Sequence, residues 1–180
     1  QVNVLKAILK ENPGVFVEAF SNSPPYFMTL SGCTSGGTKE QPSNLDPAHA
    51  DAFADFLATV TAHFRYQWGI RFHSIDPVNE SGGHWPALSP KQEGCHFSMS
   101  TLNAVIPALD KALKRHGVRD IVLAAADDYS YKNFLRTYNE LTPESWEAID
   151  RLSVHTYSGY DDAARLDVRK KASERKENLW

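Results

Sequence analysis

The 180-residue chain lacks most of the signals by which common functional classes announce themselves. It has only two cysteines, and its 19 Lys and Arg against 22 Asp and Glu leave a formal net charge of -3. That balance excludes the basic footprint of a nucleic-acid-binding domain. No apolar run approaches the ~18 residues that a transmembrane helix requires. Neither G-x-G-x-x-G nor G-x-x-x-x-G-K-[ST] occurs, so the phosphate-cradling turns of nucleotide-binding sheets are missing. The seven histidines are scattered without H-E-x-x-H or comparable ligand spacing, and neither a metal nor a cofactor is expected.

What remains is an ordinary globular composition, 42% hydrophobic and 23% charged, enough for one core. No linker, internal repeat or low-complexity segment divides it, so residues 1–180 read as one unit. Gln1 opens directly on Val2-Asn3-Val4-Leu5-Lys6-Ala7-Ile8-Leu9, an amphipathic helical pattern, and the chain is expected to begin within an element.

Strand and helix signals then alternate. Val15 to Phe20 reads as a short strand introduced by Pro13-Gly14 and closed by Ser21-Asn22-Ser23-Pro24-Pro25. Asp46 and Pro47 mark a helix start. Phe53, Phe56, Leu57, Val60 and Phe64 recur at helical spacing until Gly69. A strand from Ile70 to Ile75 follows, then a helix carrying Leu102, Val105, Ile106, Leu109 and Leu113, in which Pro107 should produce a kink or delay the start. Ile121 to Ala126 is wholly apolar, as strands buried on both faces of a parallel sheet are. A helix with Tyr131, Phe134, Leu135 and Tyr138 breaks near Pro143 and resumes around Trp146. Leu152 to Tyr157 reads as a strand, Asp162 to Glu174 as a charged helix, and Asn178-Leu179-Trp180 as the start of another strand. Repeated βα units imply a parallel sheet with right-handed crossovers. An open doubly wound sheet and part of a (β/α)8 barrel both fit. The missing nucleotide motifs and the density of units favour the barrel, here an excerpt.

Against that background the run Pro77-Val78-Asn79-Glu80, closing the Ile70–Ile75 strand, carries the most information. In a (β/α)8 barrel the chemistry is performed at the carboxyl ends of the strands, so a Glu there reads as catalytic. Taken alone, the Asn-Glu dipeptide reads more readily as a solvated loop.

Ala19-Phe20-Ser21-Asn22-Ser23-Pro24-Pro25-Tyr26-Phe27-Met28, Ser31-Gly32-Cys33, Pro77-Val78-Asn79-Glu80 and Lys91-Gln92-Glu93-Gly94-Cys95 together resemble glycoside hydrolase family 30, and within it the endo-β-1,6-galactanase branch. The resemblance runs over essentially the whole chain. It implies a secreted, monomeric (β/α)8-barrel enzyme acting on the β-1,6-galactan side chains of arabinogalactan, with no accessory β-sandwich within these residues. The chain would run from the helix before strand three to the start of strand seven. Glu80 would be the acid/base at the end of strand four, and a nucleophilic Glu would lie just past Trp180. Other β-glycosidases of the family, xylanases or glucosylceramidase-like enzymes, are the alternative substrate reading. A non-catalytic carbohydrate-binding barrel remnant is the alternative class.

The chemistry wants these residue types. Retaining hydrolysis uses two carboxyl groups ~5–5.5 Å apart, one attacking carbon and one moving a proton to and from oxygen. Asn79 can donate an amide hydrogen bond to the sugar 2-hydroxyl. His155 and Tyr157, two apart near a strand end, point to one face and are candidate substrate contacts, with a packed core histidine as the alternative for His155. Asn22 is a candidate sugar ligand or a turn residue. Trp85 is read as a sugar-stacking platform, with packing of its own loop as the alternative. Asp127 and Asp128 are read as caps of the following helix, and Glu18 as paired with Arg71. Cys33 and Cys95 follow neighbouring strands on one barrel face, so a disulfide is expected, with two thiols as the alternative. Asn79-Glu80-Ser81 is formally a glycosylation sequon, but a glycan there would block the site.

Overall fold

The computed structural model describes residues 1–37, 43–87, 92–157 and 161–180. Its elements alternate as the sequence implies. Helix α1 (Val2–Glu11) leads into β1 (Glu18–Phe20) and the short β2 (Ser35–Gly36), after which α2 (Ala50–Trp68) precedes β3 (Ser74–Asp76) and the short β4 (Gly94–Cys95). Next come α3 (Met99–Arg115), β5 (Val122–Asp128), α4 (Tyr131–Glu140), α5 (Pro143–Ala148), β6 (Arg151–Val154), α6 (Asp162–Arg175) and β7 (Asn178–Leu179).

Local chemistry accounts for the boundaries. Asp46 caps a 3-10 turn (Pro47–His49) by accepting the Ala48 N–H at 2.9 Å, and α2 starts from that turn. Gly69 ends α2 in the left-handed region, φ 68°, where a side chain would be strained. The Ser98 hydroxyl caps α3, which continues through Pro107 rather than starting after it. The missing Pro107 N–H costs one helical bond, while Leu102, Val105, Ile106, Leu109 and Leu113 stay buried. Thr142 caps α5 with Pro143 in its first turn, which separates α5 from α4.

Five strands form one parallel sheet in the order β1-β3-β5-β6-β7, with register Glu18↔Ser74, Ser74↔Val122, Ala124↔Arg151 and Arg151↔Asn178. Strands adjacent in space are consecutive βα units, as in the wall of a (β/α)8 barrel, of which this chain supplies five strands. The strands are shorter than the apolar runs around them. Val17 and Phe72 lie just outside the ladder and pack with Ile70 beneath α1 and α2. Alternation separates the two faces of the sheet. Ile75, Leu123, Ala125 and Leu152 join the main core with α2, α3 and α5, whereas Glu18, Ser74, Arg151 and Ser153 form a polar cluster on the other face.

Glu18 therefore pairs with Arg151, not with Arg71, which bonds Asp120 at 3.0 Å. Arg71 lies outside the ladder and is exposed, while the register brings Arg151 to the polar face with Glu18 and Ser74.

Above the carboxyl ends of the strands, two long loops are knitted together. Strand β2 pairs with β4 (Ser35↔Gly94, Gly36↔Cys95). The Trp85 N–H donates to Gly37 O at 3.0 Å and the Phe97 N–H to Ser81 O at 3.0 Å.

Candidate active site

Glu80 follows β3 by four residues with its backbone in the left-handed region, φ 48°, as does Asp127 in β5, φ 51°. Non-glycine residues adopt that region sparingly, and when tertiary contacts impose it the position is often functional. Here the contact is direct, because the Glu80 N–H donates to Asp127 O at 3.0 Å. The Gly83 N–H and the Trp85 indole N–H both donate to Glu80 O, at 2.8 and 3.1 Å. With its main chain held on both sides, the Glu80 carboxyl is aimed at β6. Its Oε1 lies 2.8 Å from His155 Nδ1.

His155 begins just past β6, and its N–H donates to Asp128 O at 2.8 Å. The other ring nitrogen, Nε2, is 3.3 Å from Asp127 Oδ1. One imidazole therefore spans two carboxyl groups from the ends of two other strands. Tyr157 lies beside it with ring centroids 4.7 Å apart and is exposed, so it forms the open wall of the site. Asn79 is buried. Its N–H donates to Ser21 O at 2.8 Å and its Oδ1 has no partner among the described residues.

Burial shapes the electrostatics. The pKa of Asp127 is pushed up to about 6, first by burial and then by the Glu18 and Glu80 charges, against the pull of His155 and Arg151. That of Asp128, fully buried, is also raised to about 6, chiefly by burial, with the Thr137 hydroxyl and the Arg136 charge opposing. Asp76, buried at the end of β3, is shifted well above the usual carboxylate range by burial and by Asp127, although the Val78 N–H donates to it at 3.3 Å.

Glu80, His155 and Tyr157 thus come together as expected, and Asn79 lies at the base of the same loop. Asn22 does not join them. It is exposed on a neighbouring cleft of about 610 Å³ whose polar lining includes Glu18, Ser23, Asp76 and Glu93. Lys91 falls outside the described residues.

Trp85 is corrected from a stacking platform to a packing residue. It is only 8% exposed and its ring presses on Gly94, so little of the ring is presented to a sugar. The expected disulfide is also corrected, since Cys33 and Cys95 are not bonded to each other. The Cys33 thiol donates to Ser35 O, while Cys95 is fully buried and its thiol is pushed up to about 12 by burial, so it stays protonated and unreactive. Nor do Asp127 and Asp128 cap α4. The Ser130 hydroxyl does, accepting the Asn133 N–H at 3.3 Å, which leaves both aspartates at the site.

Sequence reasoning missed Asp127, Asp76 and Arg151 as members of the polar assembly. The available signal was positional: Asp76, Asp127 and His155 each stand at or just past the carboxyl end of a strand.

Five parallel strands with a carboxylate and an imidazole gathered at their carboxyl ends place the chain in the class of (β/α)8-barrel proteins that carry their functional groups on that face. The chain belongs to O-glycosyl hydrolase family 30, whose model matches residues 1–154. It is 31% identical over 172 residues to an endo-beta-1,6-galactanase of Hypocrea rufa, covering 95% of this chain and 35% of that protein. It is 27% identical over 217 aligned residues to an exo-beta-1,6-galactobiohydrolase of Bifidobacterium longum subsp. longum, covering 94% of this chain and 14% of that protein. The chain therefore spans about a third of the first relative's length and less of the second's. Among solved structures, SrfJ from Salmonella typhimurium superimposes with a TM-score of 0.80 at 18% identity, over 99% of this chain and 38% of that one, a likeness of fold.

Proposed function

We propose that this chain supplies the acid/base half of a retaining β-1,6-galactan hydrolase, with Glu80 as the general acid and base. The observation that carries the reading is the Glu80–His155 contact at the carboxyl ends of the sheet, 2.8 Å long, in a family 30 chain. In the first step Glu80 gives its proton to the glycosidic oxygen as the bond from the anomeric carbon breaks. The electron pair leaves with that oxygen, and a second carboxylate bonds the carbon. In the second step Glu80 takes a proton from water, whose oxygen displaces that carboxylate. We assign the second carboxylate to residues beyond Trp180. Asp127 does not serve, since it is 5% exposed and stands behind the His155 ring from Glu80. The Asn79 amide holds the sugar 2-hydroxyl and Tyr157 lines the approach, while Asn22 stands apart on the neighbouring cleft.

A galactan substrate is supported by the two relatives whose names specify β-1,6-galactosyl activity. A polymer of that kind is met outside the cell, and the reading is accordingly of a secreted enzyme, taken to act as a monomer.

In the intact protein, Glu80→Gln should lower galactan cleavage by ~10²- to 10⁴-fold, the usual worth of general acid catalysis. An aryl galactoside whose leaving group needs no proton should still form the glycosyl-enzyme, and added azide should release it as the β-azide. Undiminished galactan cleavage by the variant would reassign the acid. Turnover of xylan or β-glucosides in place of galactan by the unmodified protein would reassign the substrate.

A further inference from the structure

His155 sits between two carboxyl groups, and the proposed chemistry uses only one of them. A neutral imidazole offers one N–H, so the group at Nε2 decides what Nδ1 presents to Glu80. Asp127 faces Nε2 from 3.3 Å, is 5% exposed, and has its other oxygen unpartnered among the described residues. Its backbone is tied into the same unit, accepting the Glu80 N–H at 3.0 Å, while its neighbour Asp128 accepts the His155 N–H at 2.8 Å. The end of β5 therefore holds both Glu80 and His155 by the main chain and His155 again by a side chain.

Resting on the assignment of Glu80 as acid, we propose that Asp127 is a positioning residue for proton transfer. By accepting the Nε2–H of His155 it leaves Nδ1 as an acceptor, so the Oε1–H of protonated Glu80 donates to Nδ1 and the acid's proton is held on that oxygen until it passes to the glycosidic oxygen. Asp127 touches no substrate; it acts through His155. The charged groups around it are Glu80 and Asp76 from the β3 end, Glu18 of β1, Arg151 and His155 from β6, and Asp128 beside it. Its carboxyl is pushed up to about 6, chiefly by burial. Above that pH it accepts Nε2–H as a charged carboxylate, and below it only the weaker, uncharged carbonyl oxygen remains to accept. The clasp on His155 tightens as pH rises through about 6 and loosens on the acid side.

The test is Asp127→Asn in the intact enzyme, with a pH profile on two substrates. Galactan cleavage should fall about 10- to 100-fold in kcat, short of the full loss of a general acid, with KM unchanged. Cleavage of the aryl galactoside bond should be spared. The acid limb near pH 6 in the unmodified enzyme should move to lower pH in the variant. A fall in kcat on both substrates with the limb unmoved, or a rise in KM alone, would overturn the proposal and leave Asp127 a packing residue.

A second measurement needs neither a folded variant nor turnover. In the unmodified protein with labelled histidine, the His155 ring nitrogens should respond in NMR to the same ionisation as the Asp127 carboxyl. Independent responses would overturn the proposal. An unmodified protein that cleaves no glycoside while showing the linked response would refute the hydrolase reading and leave the clasp standing.

Discussion

At Trp85 the indole joins two segments that the chain brings together only on folding. Its N–H bonds Glu80 O at 3.1 Å and its ring lies so close to Gly94 that a Cβ there would fall inside it. Trp85→Ala should therefore cost about 3–5 kcal/mol, as large-to-small changes at buried aromatics do. The measurement is denaturant unfolding beside galactan kinetics. The packing role expects lower stability with KM unchanged, whereas a rise in KM at unchanged stability would restore the stacking role. Gly94→Ala should be destabilising for the same steric reason.

At the scale of the element, the end of β5 concentrates cost as well as function. Asp128 is fully buried, both its oxygens lack partners of ordinary geometry among the described residues, and its pKa is raised from 3.8 to about 6. Between those values the folded state binds more protons than the unfolded one, so stability falls as pH rises from about 4 to about 6 and stays reduced above. Asp128→Asn removes that dependence. The variant should gain roughly 2–3 kcal/mol over the unmodified protein at pH 7 and nothing near pH 3.5. Thermal unfolding as a function of pH reads the difference directly, and a gap that does not change with pH would refute the burial cost. On the same sheet, Arg151 is buried against Glu18 and lies 4.2 Å over the Trp180 ring, so the polar face is held by one cation shared among three strands and the Trp180 ring.

At the scale of the whole molecule, one side of β1 and one side of β7 have no strand partner among the described residues, with Phe16, Phe20 and Trp180 exposed along them. Unpaired parallel edges flanked by aromatic rings invite association. A polypeptide limited to these 180 residues should therefore self-associate on size exclusion, and it should cleave neither galactan nor aryl galactosides, since the second carboxylate is assigned beyond Trp180. Turnover by that polypeptide alone would refute the two-carboxylate scheme.

Much of this was legible in the sequence, because it depends on local chemistry. Periodicity located the helices, Asp46, Gly69 and Pro143 marked their ends, and alternating βα units implied the parallel sheet. Glu80 stood out because a strand end is a position that sequence alone can count to. The tertiary structure alone decided whatever turns on which distant surfaces meet. Arg151 rather than Arg71 reaches Glu18 because sheet register, not sequence distance, selects the neighbour. Trp85 is buried because the β2–β4 pairing draws Gly94 under it, and Cys33 and Cys95 lie in neighbouring loops yet satisfy their thiols locally. Asp127 reads as a helix cap from its place before α4. Only the backbone turn at φ 51°, together with the His155 ring arriving from β6, shows it behind Glu80.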